Sequence, residues 1–113
     1  MDFSEYQKES RKTAIYWDAG KNIIYPTLGL AGETGEVIEK IKKLMRNEKV
    51  TSAEEVSEEK KAELEKELGD VLWYIAQLAT EFRLDLDAIA TKNLEKLNSR
   101  MERGTLHSEG DDR

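Results

Sequence analysis

Residues 28–43 read L-G-L-A-G-E-T-G-E-V-I-E-K-I-K-K, and the period of this stretch decides the fold. Leu30, Val37 and Ile41, with Leu44 just beyond, fall on one stripe when residues are set about 100° apart around an axis. That is the mark of an amphipathic helix. The stretch also holds Gly29, Gly32 and Gly35, each costing a helix about 1 kcal/mol relative to alanine. Gly29 projects onto the edge that carries Glu33 and Glu36. It is therefore expected to let a substrate or a facing helix come close to those acids. Gly32 and Gly35 lie further round, and Gly35 has no such explanation.

Outward from this helix, three more segments fit the same period. The spacing predicts helices over 2–17, 27–46, from between 54 and 60 to 83, and over 85–103. Pro26 precedes the second, where its missing N–H costs little. Ser52 with Glu55, or Thr51 with Glu54, has the spacing of a capping box in the intervening loop. Asp85 suits the N-terminus of the fourth helix. Alternating strand patterns are scarce, so the fold class is all-α. A four-helix, bundle-like domain is expected over 1–103. A tail follows over 104–113, either mobile or folded as a lid.

The 113 residues suffice for one core, but 37% are charged and the mean hydropathy is -0.72. Ile38, Leu68 and Leu72 flank the main stripes, leaving more apolar surface than one thin domain covers. A homodimer or homotetramer is expected. A net charge of -6 argues against a nucleic-acid partner, which needs a basic surface. With no cysteine, thiolate chemistry is absent. No run of about 18 apolar residues and no signal-like N-terminus is present. A soluble, cytoplasmic chain without a membrane partner is expected.

The polar residues on the stripe edges repeat from helix to helix. On the second helix the edge holds Glu33, Glu36 and Lys40; on the third it holds Glu67, Asp70 and Tyr74. The fourth contributes Asn93, Lys96 and Arg100. If the helices pack through their stripes, four carboxylates and at least two cations converge. Clustered acids at a packing edge lose hydration and repel one another. A divalent cation removes both penalties, and an all-oxygen donor set favours Mg²⁺, Mn²⁺ or Ca²⁺ over zinc. Each feature also has a plainer explanation. An E-x-x-E pair can be a solvated face, Lys40 can pair with Glu36, and Lys96 and Arg100 can complement a helix dipole. Trp17, Trp73 and Tyr74 can be core or interface aromatics.

The run G-L-A-G-E-T-G-E-V-I-E-K-I-K-K, followed by E-L-G-D-V-L-W-Y-I-A, resembles the MazG-type all-α nucleoside triphosphate pyrophosphohydrolases. Their signature is E-x-x-E, a spacer, then E-x-x-D, filled here by Glu33, Glu36, Glu67 and Asp70. The flanks F-S-E-Y-Q and N-L-E-K-L-N-S-R-M-E-R-G-T-L-H-S-E-G-D-D-R resemble small single-domain members. The resemblance implies cleavage of a nucleoside triphosphate between the α and β phosphates, giving a monophosphate and pyrophosphate. It implies that the four acids hold Mg²⁺, with Mn²⁺ as an alternative, and that Glu33 and Glu36 are catalytic. Lys40, Lys96 and Arg100 would then meet the phosphates, Asn93 a phosphate or the sugar, and Tyr74, Gln7 and Trp17 the nucleotide. Many relatives carry a further glutamate where this chain has Gly32. Glu33 or Glu36 doubles as base, Glu39 assists, or water ionised on the metal needs none; the last is favoured. A di-iron or di-manganese carboxylate bundle usually needs E-x-x-H, and His107 in the tail is the only histidine. The remaining alternative is a non-enzymatic interaction or regulatory module on the same scaffold.

Overall fold

The computed structural model describes residues 1–107, 109–111 and 113. Ser108 and Asp112, within the expected tail, lie outside the described residues. Four α-helices form, α1 (Phe3–Arg11), α2 (Ile24–Glu48), α3 (Glu58–Glu81) and α4 (Leu86–Glu102), with a 3₁₀ turn at Ala53–Glu55. No strand occurs among the described residues. The all-α expectation therefore stands, with four helices packed together.

α2 and α3 form an antiparallel hairpin, α1 lies along α3, and α4 packs against α1. The buried apolar side chains among the described residues are few: Pro26, Val50, Ala76, Ala79 and Leu86. Leu94 and Met101 on α4 are 60% and 64% exposed, and Phe82, just past the end of α3, is 54% exposed. Leu30, Ile75, Leu78 and Phe82 instead line an open groove. The stripes are real, but this single chain covers only part of them.

Two helix boundaries differ from the expectation. α1 ends at Arg11 rather than near residue 17, because the following residues bond elsewhere. Trp73 Nε1 donates to Thr13 Oγ1 at 2.8 Å, and Gly20 and Asn22 give their backbone N–H groups to Glu81 at 2.8 and 2.9 Å. The strap 12–23 also turns through left-handed backbone at Asp18 and Gly20, which a helix cannot accommodate. α2 begins at Ile24, ahead of Pro26, because Asn22 Oδ1 accepts the N–H groups of Ile24 and Tyr25 at 3.1 and 3.0 Å. Those donors have no partner within a helix, and proline in this first turn breaks no helical bond.

The other boundaries lie within a few residues of the expected ones. Ser57, not Ser52 or Thr51, caps α3 by accepting from Lys60 N at 3.2 Å. Ser52 reaches only the Glu55 side chain, at 3.5 Å. Asp85 caps α4, accepting from Asp87 N at 3.2 Å. None of the helices is long and apolar enough to cross a membrane.

Candidate metal centre between α2 and α3

The antiparallel pairing of α2 and α3 sets their two acidic pairs against each other. Single carboxylate oxygens of Glu33, Glu67 and Asp70 lie within 4.8 Å of one another. Glu36 stands outside this triad and is exposed, yet near enough for its charge to act on Glu33. Burial pushes the Glu33 carboxyl up, and Asp70, Glu67 and Glu36 add to the shift by repulsion and by a Glu67 hydrogen bond. Lys40 Nζ lies 3.9 Å from Glu67 Oε1, so one cation of α2 reaches the acids of α3. A three-carboxylate donor set with mutually repelling charges suits a hard divalent cation of the Mg²⁺ or Mn²⁺ type.

Aromatic rings wall one end of this cluster. Tyr16 stacks on Tyr25 at 4.8 Å between ring centroids, Trp73 meets Tyr74 edge-on at 5.0 Å, and Tyr25 lies 6.2 Å from Tyr74. The Tyr74 hydroxyl is pushed up to about 12 by the neighbouring Tyr25 hydroxyl, by burial, and by the charges of Glu33 and Asp70. Tyr6 on α1 is also raised, by burial and by Asp70. Tyrosines from α1 and α3 thus border the carboxylates while remaining protonated at neutral pH.

Of the two neighbours expected at Gly29, a substrate or a facing helix, the structure shows the facing helix. A Cβ on Gly29 would lie 2.1 Å from Tyr74 Cε1, whereas one on Gly32 or Gly35 would meet nothing within 4 Å. The facing helix, through the Tyr74 ring, fills the space. Gly29→Ala is therefore expected to lose stability by about 1–3 kcal/mol through overpacking. Gly35→Ala is expected to gain up to about 1 kcal/mol from helix propensity. Thermal melts of the two variants check the pair; equal melting temperatures would contradict the packing role of Gly29.

The other expected site residues are placed less centrally. Asn93 and Lys96 are exposed on α4, and their side chains make no hydrogen bond or ion pair among the described residues. Arg100 is only 3% exposed, because the tail folds back over it: its guanidinium donates to the Asp111 carbonyl and lies 3.9 Å from Asp111 Oδ1. Gln7 joins three elements, donating to Thr80 Oγ1 at 3.0 Å and Leu84 O at 2.8 Å while accepting from Leu86 N at 2.8 Å. Trp17 projects from the strap, 81% exposed.

One polar centre was not anticipated at all. The Glu81 side chain is fully buried and paired with Arg11 at 3.0 Å. It also accepts from the Tyr16 hydroxyl and from Gly20 N and Asn22 N. Burial alone would raise its carboxyl; the Tyr16, Asn22, Gly20 and Arg11 donors outweigh burial and hold it at about 2. The sequence did contain a signal. Glu81 is an acid at the C-terminal end of a helix, where the dipole disfavours negative charge, so its presence there calls for a specific partner.

Residues 26–105 match the MazG nucleotide pyrophosphohydrolase domain. The chain is also similar along its whole length to the Gene 37 protein of Mycobacterium phage L5, with 40% identity over an alignment of 118 positions that covers all of both chains. No solved structure matches it. The matched segment carries both acidic pairs and most of the helical scaffold, and the chain belongs to the MazG nucleotide pyrophosphohydrolase family.

Proposed function

We propose that this chain hydrolyses nucleoside or deoxynucleoside triphosphates between the α and β phosphates, releasing the monophosphate and pyrophosphate. One observation carries the reading: in a chain of this family, Glu33, Glu67 and Asp70 from two helices come within 4.8 Å. Mg²⁺ is the cofactor in this reading, held by those three acids and Glu36, with Mn²⁺ able to replace it. When bound, the cation neutralises the triphosphate, polarises the scissile anhydride and lowers the pKa of bound water.

The side chains of the chain position the reactants. Lys40 neutralises phosphate charge next to Glu67, and the protonated Tyr74 hydroxyl offers a donor at the aromatic end. Glu33 and Glu36 are the carboxylates assigned catalytic roles. Gly32 supplies no further acid, and Glu39 is committed elsewhere: hydrogen bonding from Lys42, at 2.8 Å, leads the effects holding its carboxyl below the usual range. No separate side-chain base is therefore assigned. Asn93, Lys96, Arg100, Gln7 and Trp17 remain proposed nucleotide contacts; for Arg100 this requires the tail to lift from its guanidinium.

A second copy of the chain is proposed to cover the outer apolar face, where Ile38, Ile41 and Met45 line a groove. Light scattering is expected to give a dimer or tetramer mass, and a monomer at micromolar concentration would contradict this part.

The activity is tested with a panel of NTPs and dNTPs plus Mg²⁺, measuring pyrophosphate and orthophosphate separately. Pyrophosphate is expected with at least one nucleotide; turnover of none would overturn the reading. Cation binding has an independent consequence. At a hundred times its dissociation constant, Mn²⁺ is expected to stabilise the fold by about 2.7 kcal/mol. A thermal shift reversed by a chelator reads this directly, and an unchanged melt would argue against the centre.

A further inference from the structure

The α2–α3 cleft changes character along its length. At one end Tyr74 packs over Gly29, and next come Glu33, Glu67 and Asp70. Lys40 then approaches Glu67. Beyond it a cavity of about 300 Å³ opens, where Lys40, Lys43 and Lys60 converge from two helices with Asn47 and a single acid, Glu63. The cleft thus runs from aromatic through acidic to basic. Three lysines and one acid line the cavity itself, while Glu67, Glu39 and Glu48 stand within 4 Å of the lysine ammonium groups from outside that lining.

Each of the three lysines has an internal acidic neighbour, Glu67, Glu39 or Glu48, but these are long or solvent-exposed pairs. Glu39 is already held by Lys42 at 2.8 Å, and Lys43 approaches the same carboxylate only at 3.7 Å. Lys60 pairs with Glu48 across the α2–α3 loop, but both side chains are about half exposed, and such surface pairs contribute ~0–1 kcal/mol. These partners are readily exchanged for a phosphate, which lysine binds as a mobile point charge. Asn47 accepts from Arg46 Nε through its carbonyl oxygen at 3.0 Å, which leaves its amide N–H₂ to donate. Lys43 lies seven residues beyond Glu36, about 10 Å along the helix, so the basic cavity continues directly from the carboxylates.

We propose that Lys43 and Lys60, assisted by Asn47, form a polyphosphate subsite that extends the carboxylate centre. It receives the β and γ phosphates of a triphosphate, or free pyrophosphate, and so points the nucleoside toward Tyr74. The assignment rests on the proposed function for its substrate, but its binding chemistry can be measured without turnover.

The test compares the intact chain with the double variant Lys43→Gln/Lys60→Gln. Calorimetric titration with inorganic tripolyphosphate and Mg²⁺ is expected to give a dissociation constant about tenfold or more higher in the variant. Affinity for Mn²⁺ alone is expected to be kept or to rise, because the carboxylates are untouched. An equal tripolyphosphate affinity in both proteins, no binding to either, or a loss of Mn²⁺ affinity in the variant would overturn the subsite. If the intact chain turns over no nucleotide yet binds tripolyphosphate through these lysines, the hydrolase reading fails and the subsite stands. If it releases pyrophosphate at the same KM in both proteins, the subsite fails alone.

Discussion

Asp70→Asn is expected to reduce Mg²⁺-dependent pyrophosphate release by more than about a hundredfold, since weakening even an outer partner of a metal ligand costs 10–100-fold in affinity or activity. The substitution keeps the shape of the side chain and removes its charge. In the cation-free protein it takes one negative charge from beside Glu33, whose carboxyl burial and Asp70 already push up. Relief of that repulsion is expected to leave the metal-free melting temperature unchanged or slightly higher. The stabilisation by Mn²⁺ should disappear at the same time. This opposition separates a metal ligand from a structural acid: a structural acid would lose stability without cation and would leave the Mn²⁺ response intact. Glu67→Gln is expected to behave alike, with Lys40 additionally released from its 3.9 Å contact.

Glu81→Gln is expected to be the most destabilising single change, at about 3 kcal/mol, because it breaks a buried ion pair and leaves Arg11 without its counter-charge. For a chain of this size that corresponds to a fall in melting temperature on the order of 10 °C. The effect has a pH signature. The Glu81 carboxyl is lowered from 4.5 to about 2 on folding, so its contribution is fully present above pH 4.5. It is lost as pH falls toward 2, where the folded carboxylate takes up its proton. The variant should lack this part of the acid destabilisation, so the two stability curves converge at low pH. Parallel curves across pH 2–5 would show that Glu81 is not the group responsible. The change also reaches the metal centre, because Glu81 holds the Tyr16 hydroxyl and Tyr16 stacks on Tyr25, which leans on Tyr74.

Much of this architecture was legible in the residues because it depends on local period. The four helices follow from recurring apolar positions, and the facing of Glu33 against Glu67 and Asp70 follows from placing two acidic pairs on the edges of adjacent stripes. The cap at Asp85 was visible for the same local reason. What escaped depends on partners distant in sequence. The end of α1 at Arg11 is decided by Glu81 and Trp73, about sixty residues away. The early start of α2 escaped for a local reason instead: Asn22, two residues before Ile24, substitutes for a capping side chain at Ile23. Arg100 had the right spacing to join a cationic edge, but the tail covers it. The role of Gly29 was half visible: the need for a bare edge showed in its projection, while its occupant, the Tyr74 ring, emerges only from helix packing.

In the proposed reaction the carboxylates of α2 and α3 direct water to the α phosphorus. Hydrolysis of a turned-over triphosphate in ¹⁸O-labelled water with Mg²⁺, followed by mass analysis of both products, tests it most directly. The label is expected in the nucleoside monophosphate, with unlabelled pyrophosphate beside it. Label in pyrophosphate, or release of orthophosphate alone, would contradict attack at the α phosphorus.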